Sequence, residues 1–430
     1  MTTSVALPGP HDVFRRALPN GIVVLVRENW NSKSVVISGW VDAGSLFDPP
    51  EHEGLASFVA EMLLRGTQQR DFQSIHEWLE SCGASLDFSA GRHSVGFAGR
   101  SLAEDLPGLM SLLAEALQQP AFPPEQVERL RGQMVTALKI HEQDTEYVAS
   151  RLFREIVYRD GHPYSRPLDG KVETVTGFTR EQVVEFYQKH YGPRRMTMVM
   201  VGAVRAETAF HLVEDYLGDW KNPTQPEPPT LPPVPLLTAI ERREAVLPGK
   251  SQADIVLGVS GPARLAADWV AANLANHILG VFGMYGRIGA RVREQLGMAY
   301  YSYSRLDGGL GPGPWRVVAG VNPANVEQAV SVIRGELRRI TEEPVTEEEL
   351  ENSKSNYIGR LPLQLESNDG VAGALLNIER YQLGLDYLLR YADEIRGVTA
   401  EDVLAAARHY LNPDAFALAI AGPDRSGASG

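Results

Sequence analysis

The sequence has little of several things that mark secreted, membrane-bound or nucleic-acid-binding proteins. Among its 430 residues the only cysteine is Cys82, so no disulfide can form within the chain. It has 54 acidic against 41 basic residues, a formal net charge of −13, and no block of basic residues. These features argue against a disulfide-built secreted domain and against a nucleic-acid or anionic-membrane partner.

No stretch of the chain reaches the roughly 18 consecutive apolar residues of a membrane-spanning helix. Residues 1–14 also lack the basic stretch and apolar run of a cleaved secretory signal. We therefore expect a cytoplasmic protein with no membrane partner. An apolar content of 43% over this length is ample for two or three domains with large cores.

The segment 54–67, with the sequence GLASFVAEMLLRGT, predicts a helix. Three of its positions, 57, 60 and 61, bear on whether this helix could bind a metal ion such as zinc. Residues 57 and 61 are four apart, so on a helix their side chains lie on the same face. The three positions hold Ser57, Ala60 and Glu61. A serine hydroxyl is a poor zinc ligand at neutral pH, and an alanine cannot take a proton from bound water. The remaining single carboxylate does not make a metal site.

The frame of this segment resembles the pitrilysin/insulinase (inverzincin) metallopeptidase family, whose motif reads G-L-A-H-F-x-E-H-M-L-F-K-G-T. In that family the H-x-x-E-H core supplies two histidine ligands and a glutamate base. The family's third ligand, a glutamate on a later helix, falls at Ala137 and Leu138. The nearby pair His141 and Glu142 is about one helical turn out of register, and we interpret it as solvated helix surface. The resemblance therefore implies that this chain binds no metal and has no catalytic residue of its own.

The two halves of the chain repeat the same order of features. A capped helix, a His-Tyr pair and an apolar strand closed by glycine occupy 179–202 and recur at 399–422. Between the halves, seven prolines in fifteen residues exclude a helix or a central strand. We predict two homologous domains, 1–220 and 237–430, joined by a proline-rich linker at 221–236.

Each half also mixes strand and helix patterns. Strands are predicted at 21–26, 34–41 and 253–259, and helices at 125–158 and 325–342. This pattern favours an α+β fold in which each domain has an antiparallel-rich sheet with helices packed mainly on one face. The family is built from such a duplicated unit, and the chain resembles its short, two-domain type, as in the subunits of mitochondrial processing peptidase.

The second half contains the sequence REQLGMAY at 293–300, which resembles the family's arginine–tyrosine element. Residues 287–295 predict a helix, Gly297 a left-handed cap and 299–304 a strand, so Arg293 and Tyr300 can come close together. The resemblance implies that Arg293 bonds a substrate backbone carbonyl and that the Tyr300 hydroxyl bonds the carbonyl or oxyanion at the scissile bond. Without the family, they would be an arginine at a helix C-terminus and a tyrosine packed on a sheet.

These observations predict a non-catalytic, substrate-binding subunit of a heterodimeric zinc endopeptidase. A homologous partner with an intact H-x-x-E-H motif would hold the zinc and the base, and the substrate would be a peptide or unfolded polypeptide. Two other hypotheses remain open. The chain could be a structural or assembly protein with no part in proteolysis, or a metallopeptidase that uses other ligands, such as His52, Glu53 and Glu61.

Overall fold

The computed structural model of the protein describes residues 7–425, apart from the side chains of Met284 and Tyr285. In this part of the chain the strands form two mostly antiparallel sheets, which confirms the predicted α+β class. The strands are β1 (Phe14–Ala17), β2 (Val23–Glu28), β3 (Ser34–Val41), β4 (Ser85–Ala90), β5 (Val95–Leu102), β6 (Thr197–Gly202), β7 (Glu241–Val246), β8 (Ala253–Ser260), β9 (Ala299–Leu306), β10 (Pro314–Val321) and β11 (Ala417–Gly422).

Helices connect and cover these strands. The α-helices are α1 (Leu55–Met62), α2 (Phe72–Cys82), α3 (Leu106–Gln118), α4 (Pro124–His141), α5 (Thr145–Val157), α6 (Val172–Gly177), α7 (Arg180–His190), α8 (Ala206–Leu217), α9 (Trp269–Gly280), α10 (Phe282–Ile288), α11 (Val326–Glu342), α12 (Glu347–Gln364), α13 (Asn368–Arg380), α14 (Tyr387–Arg396) and α15 (Ala400–Tyr410). A π-helix, Gly289–Gln295, continues α10. Short 3-10 helices are Ser45–Phe47, Pro50–His52, Pro163–Ser165 and Pro323–Asn325. None of the described helices is both long enough and apolar enough to cross a bilayer.

The two sheets have the same design. The first has the strand order β1-β2-β6-β3-β5-β4, and the second β7-β11-β8-β10-β9. Apart from β1, the orders correspond strand for strand, and each sheet contains one parallel pair, β2–β6 and β7–β11. The central strands β6 and β11 are buried along their whole length, which explains their continuous apolar sequences. The strand order thus repeats as the duplicated sequence pattern predicts.

One face of each sheet carries most of its helices. The first core joins the inner side chains of β2, β3 and β6 to helices that include α1, α3, α4 and α8. The second core joins β8, β10 and β11 to α9, α11 and α15. Apolar residues three and four apart on these helices form the stripes that pack on the sheets.

The other face of each sheet is covered by a helix from the opposite half of the sequence. Helix α13, from the second half, packs on β3 and β6, and a separate apolar cluster lies between them. Helix α5, from the first half, packs on β7, β8 and β11. Helix α5 is also distinct from α4, because the helix predicted over 125–158 is interrupted before the N-cap residue Asp144.

The chain divides into two compact units, each built from three segments. One contains the residues up to Leu138, Pro167–Thr230 and Arg360–Tyr391, and the other Lys139–Arg166, Leu231–Gly359 and the residues from Ala392 onward. The compact units therefore differ from the sequence halves, since each includes the covering helix from the other half. Residues 221–236 form neither helix nor strand, as their prolines dictate.

Candidate functional site

Helix α1, which carries the degenerate motif, has a tightly specified start. Gly54 has φ +95°, and a Cβ there would lie 2.7 Å from backbone atoms of Gly170, so only glycine fits without strain. The buried Asp48 carboxylate accepts hydrogen bonds from the N–H groups of Gly54 and Ala56, at 3.0 and 2.8 Å. These contacts satisfy amides that the first turn of a helix otherwise leaves unpaired. These contacts therefore hold the N-terminus of the motif helix in a defined conformation.

The motif helix does not carry the two histidines and the glutamate base of the H-x-x-E-H pattern. Ser57 is 4% exposed, and its hydroxyl donates a hydrogen bond to the carbonyl of Leu168 at 2.8 Å. Ala60 is buried, and Glu61, on the same helix face as Ser57, is exposed. Partial desolvation raises the pKa of Glu61, while Arg65 lowers it and Asp169 raises it further. The Ser57 hydroxyl is thus engaged by the protein itself, and Glu61 is the one motif position that offers a carboxylate.

The expected third-ligand region cannot complete a site. On α4, Ala137 is exposed and Leu138 is buried in the first core. Neither side chain can bind a metal ion. Among residues 7–425, no group of three or more histidine, cysteine, aspartate or glutamate side chains is arranged to hold one. The residues present therefore do not fit a catalytic zinc ion.

The alternative ligands proposed from the sequence have other partners. The His52 ring nitrogen Nε2 lies 2.9 Å from the Gln182 side-chain nitrogen, and the ring packs edge-on against Phe178. The Glu53 carboxylate forms an ion pair with Lys171 at 2.8 Å. Both side chains thus fasten the loop before α1 to the segment around α6 and α7. His141 and Glu142 lie exposed at the end of α4, as interpreted from the sequence.

The second-half element has the local structure that its sequence predicts, with one addition. Gly297 has φ +59°, and its N–H donates to the Arg293 carbonyl, which ends the helix that carries Arg293. Strand β9 begins at Ala299, two residues later, and packs against the helix. The last helical segment is a π-helix, a rare form that is frequent at functional sites.

Tyr300 lies at an irregularity in the edge strand of the second sheet. Tyr301 pairs with Gly320 and Ala299 pairs with Val321, so Tyr300 has no residue opposite it and forms a β-bulge. Its side chain is 76% exposed, although Ala299 before it is buried and Tyr301 after it is half-buried. Arg293 is half-buried. A bulge of this kind turns one side chain away from the regular pleat and commonly lies beside an active site.

An ion pair between a buried arginine and a half-buried glutamate holds the start of this helical segment. Arg287 donates to both carboxylate oxygens of Glu349, each at 2.6 Å. Burial alone would raise the pKa of Glu349, but hydrogen bonds from Arg287 and Thr346 outweigh it and lower that pKa to about 2. The sequence analysis missed this pair, the π-helix and the bulge. Only Arg287 itself, which follows the glycines at 283 and 286, offered a signal, and its partner lies 62 residues away.

Two family models match the chain. The model described as insulinase, peptidase family M16, matches residues 23–169, and the model described as peptidase M16 inactive domain matches residues 177–357. Together they cover most of the sequence, including α1 and the segment of Arg293 and Tyr300.

The similarity to known proteins extends over almost the whole chain. An uncharacterized zinc protease of Streptomyces coelicolor is 26% identical over 95% of this chain and 90% of its own length. The beta subunit of the mitochondrial-processing peptidase of Saccharomyces cerevisiae is 24% identical over 95% of this chain and 90% of its own. A crystal structure described as a peptidase M16 inactive domain from Pseudomonas fluorescens has the same fold, with a TM-score of 0.88, 24% identity and coverage of 96% of this chain and 98% of that one. Because two models of one family match consecutive segments that together cover most of the sequence, the chain belongs to peptidase family M16, the insulinase family.

Proposed function

We propose that this chain is the non-catalytic, substrate-binding subunit of a heterodimeric zinc endopeptidase. A homologous subunit with an intact H-x-x-E-H motif would bring the zinc ion and the base. This chain would bring Arg293 and Tyr300 to that site. The substrate would be a peptide or an unfolded segment of polypeptide.

One observation carries the proposal. The first half offers no set of metal-ligating side chains at the motif, whereas the second half exposes a tyrosine that could bind substrate. In the first half, position 57 is a serine whose hydroxyl is bonded to the Leu168 carbonyl, and the third-ligand region is Ala137 and Leu138. In the second half, Tyr300 is presented to solvent from a bulge beside the helix that carries Arg293. A chain that had lost all contact with substrate would have no need to present a phenol in this way.

The two side chains suit the stabilisation of a polarised carbonyl. Arginine carries a permanent charge and a planar set of donors, and a neutral tyrosine hydroxyl donates one hydrogen bond. Donors aimed at a developing oxyanion raise the rate by roughly 10²–10³ each in comparable sites. The relatives named as zinc protease and as a processing-peptidase subunit support a role of this kind.

The test combines the purified chain with a family M16 chain from the same genome that carries an intact H-x-x-E-H motif. Hydrolysis of quenched-fluorescence peptides is measured for each chain alone and for the mixture. We expect the mixture to exceed the partner alone. We expect Arg293→Ala and Tyr300→Phe to lower the rate of the mixture by roughly 10²-fold each.

Matched controls separate this role from general damage. Arg291→Ala changes an exposed arginine on the same π-helix, whose side chain bonds Gln295 and lies 3.7 Å from the Glu336 carboxylate, and should leave the rate unchanged. If the mixture is no faster than the partner alone, and Arg293→Ala has no effect, the proposal is wrong. Stable association without any effect on hydrolysis would instead support the structural or assembly role.

A further inference from the structure

The residue after Tyr300 fastens the strand that presents it. The hydroxyl of Tyr301 donates a hydrogen bond to the carboxylate of Asp254 on β8, a side chain that is 1% exposed. The same hydroxyl lies 3.4 Å from the Glu146 carboxylate on α5. Asp254 also accepts from the Thr145 hydroxyl and from the Gln252 amide. Tyr301 therefore connects the edge strand β9 to an inner strand and to a helix.

The sheet is shaped to admit the Tyr301 ring. Gly320 lies opposite Tyr301 on β10, and a Cβ on Gly320 would lie 2.7 Å from Cε1 of that ring and 2.4 Å from the Gln252 side-chain nitrogen. The register of the β9–β10 pair shifts between Gly320 and Val321. The glycine, the ring and the bulge thus meet at one point of the sheet.

Tyr303, two residues further along β9, makes only part of these contacts. Its hydroxyl donates to the other Glu146 oxygen at 3.0 Å, and it has no bond to Asp254. Burial raises the pKa of Tyr303 to about 12 and raises that of Tyr301 as well, aided by the bond to Asp254. Both phenols are therefore neutral donors at physiological pH. Tyr303 is a natural control for Tyr301.

We propose that Tyr301 is a positioning residue for Tyr300, because its hydrogen bond to Asp254 fixes the register of the bulge. Strand β9 lies at the edge of its sheet and, among the described strands, pairs with β10 alone, so backbone bonds hold its register on one side. A one-residue slip would exchange the faces of Tyr300 and Tyr301. The Tyr301 hydroxyl opposes this slip. The effect on hydrolysis rests on the proposed function, whereas the effect on the strand does not.

The effect on the strand is tested on the chain alone. Hydrogen–deuterium exchange of peptides that cover residues 297–304 is compared for Tyr301→Phe, Tyr303→Phe and the unchanged chain. Loss of an anchoring hydrogen bond should speed exchange by roughly 5- to 10-fold in Tyr301→Phe, with a much smaller change in Tyr303→Phe. Equal exchange in the two variants overturns the proposal, whatever the function of the protein.

Gly320→Ala is the second variant, since it displaces the Tyr301 ring but keeps the hydroxyl. It should also speed exchange over 297–304, and unchanged exchange would count against the proposal.

In the peptide assay with the motif-intact partner, Tyr301→Phe should lower kcat by on the order of 10- to 100-fold with little change in KM, because misplacement of a donor weakens transition-state contacts. A rise in KM with an unchanged kcat would overturn the positioning role. If even Tyr300→Phe has no effect on hydrolysis, the proposed function fails, and the exchange result still decides the role of Tyr301.

Discussion

The same helix–glycine–strand unit occurs in both halves of the protein, but the side chain three residues after the glycine is buried in one half and exposed in the other. In the first half, α2 ends at Gly83, with φ +63°, and β4 begins at Ser85. In the second half, the π-helix ends before Gly297, with φ +59°, and β9 begins at Ala299. The third residue after the glycine is Leu86 in one copy and Tyr300 in the other.

Their environments differ because only one strand is bulged. Strand β4 pairs with β5 in unbroken register, and Leu86, 3% exposed, lies in the first core. Strand β9 inserts Tyr300 without a partner, and its side chain faces solvent. The same distance after the glycine therefore holds a buried, paired leucine in one copy and an exposed, unpaired tyrosine in the other. In this protein, the half that contains Ser57, Ala60 and Glu61 has the regular copy, and the half that presents the tyrosine has the bulged copy.

The largest expected effect tests this contrast directly. Leu86→Ala should destabilise the protein by about 2–5 kcal/mol, because it removes buried methyl groups and leaves a cavity. Tyr300→Ala should change the free energy of unfolding by less than about 0.5 kcal/mol, as exposed positions usually do. Urea-induced unfolding followed by circular dichroism measures both. Similar losses at the two positions would contradict the assignment of core and presented roles.

A second prediction concerns the ion pair that only the second copy has. At the matching place in the first half, Gln73 is exposed and bonds Glu77. Glu349→Gln should lower stability at pH 7 by about 1–3 kcal/mol, because it weakens the bonds to the buried Arg287. The adjacent exposed Glu348→Gln is the control.

The pH dependence of this effect follows from the lowered pKa. The pKa of Glu349 falls from 4.5 to about 2 on folding, so its carboxylate stabilises the fold fully above about pH 4.5. That contribution is lost as the pH falls from 4.5 towards 2. The stability difference between Glu349→Gln and the unchanged chain should therefore shrink over this range in unfolding measurements. A difference that stays constant down to pH 3 would show that the lowered pKa is not its origin.

A third prediction uses the two glycines that the copies share. A Cβ at Gly83 or Gly297 would meet open space, so alanine at either position is opposed only by the left-handed backbone. Each substitution should cost about 1 kcal/mol in thermal or urea unfolding. Only Gly297→Ala should also slow peptide hydrolysis with the partner, since it lies between Arg293 and Tyr300. Equal effects on hydrolysis would remove the functional distinction between the copies.

The smallest expected effect is that of metal on the isolated chain. After dialysis, elemental analysis should find far less than one zinc per chain, and neither a chelator nor added zinc should move the melting temperature, because Ser57, Ala137 and Leu138 supply no ligand. The motif-intact partner is the positive control. Stoichiometric zinc that survives dialysis would favour the metallopeptidase hypothesis with other ligands.

Much of the architecture could be predicted because it depends on local chemistry. The apolar run of β6, the proline-rich segment 221–236 and the left-handed Gly297 each follow from the preferences of a few neighbouring residues. The predicted helix over 125–158 was too long, because Asp144 caps a new helix inside an otherwise continuous pattern. The roles of Arg293 and Tyr300 remain predictions, although the local structure around them is the predicted one.

The sequence by itself determined the duplicated α+β fold, the family and the residues at positions 57, 60 and 61 of the motif, since these depend on residue identity and on order along the chain. The tertiary structure decided what the remaining side chains do. The bond from Ser57 to Leu168, the pair of Arg287 with Glu349 and the anchoring of Tyr301 by Asp254 all join residues that are far apart in sequence. The covering of each sheet by a helix from the other half has the same origin. Periodicity reports which residues are buried but not which distant residues they meet, and the bulge at Tyr300 exists only in the pairing of two strands.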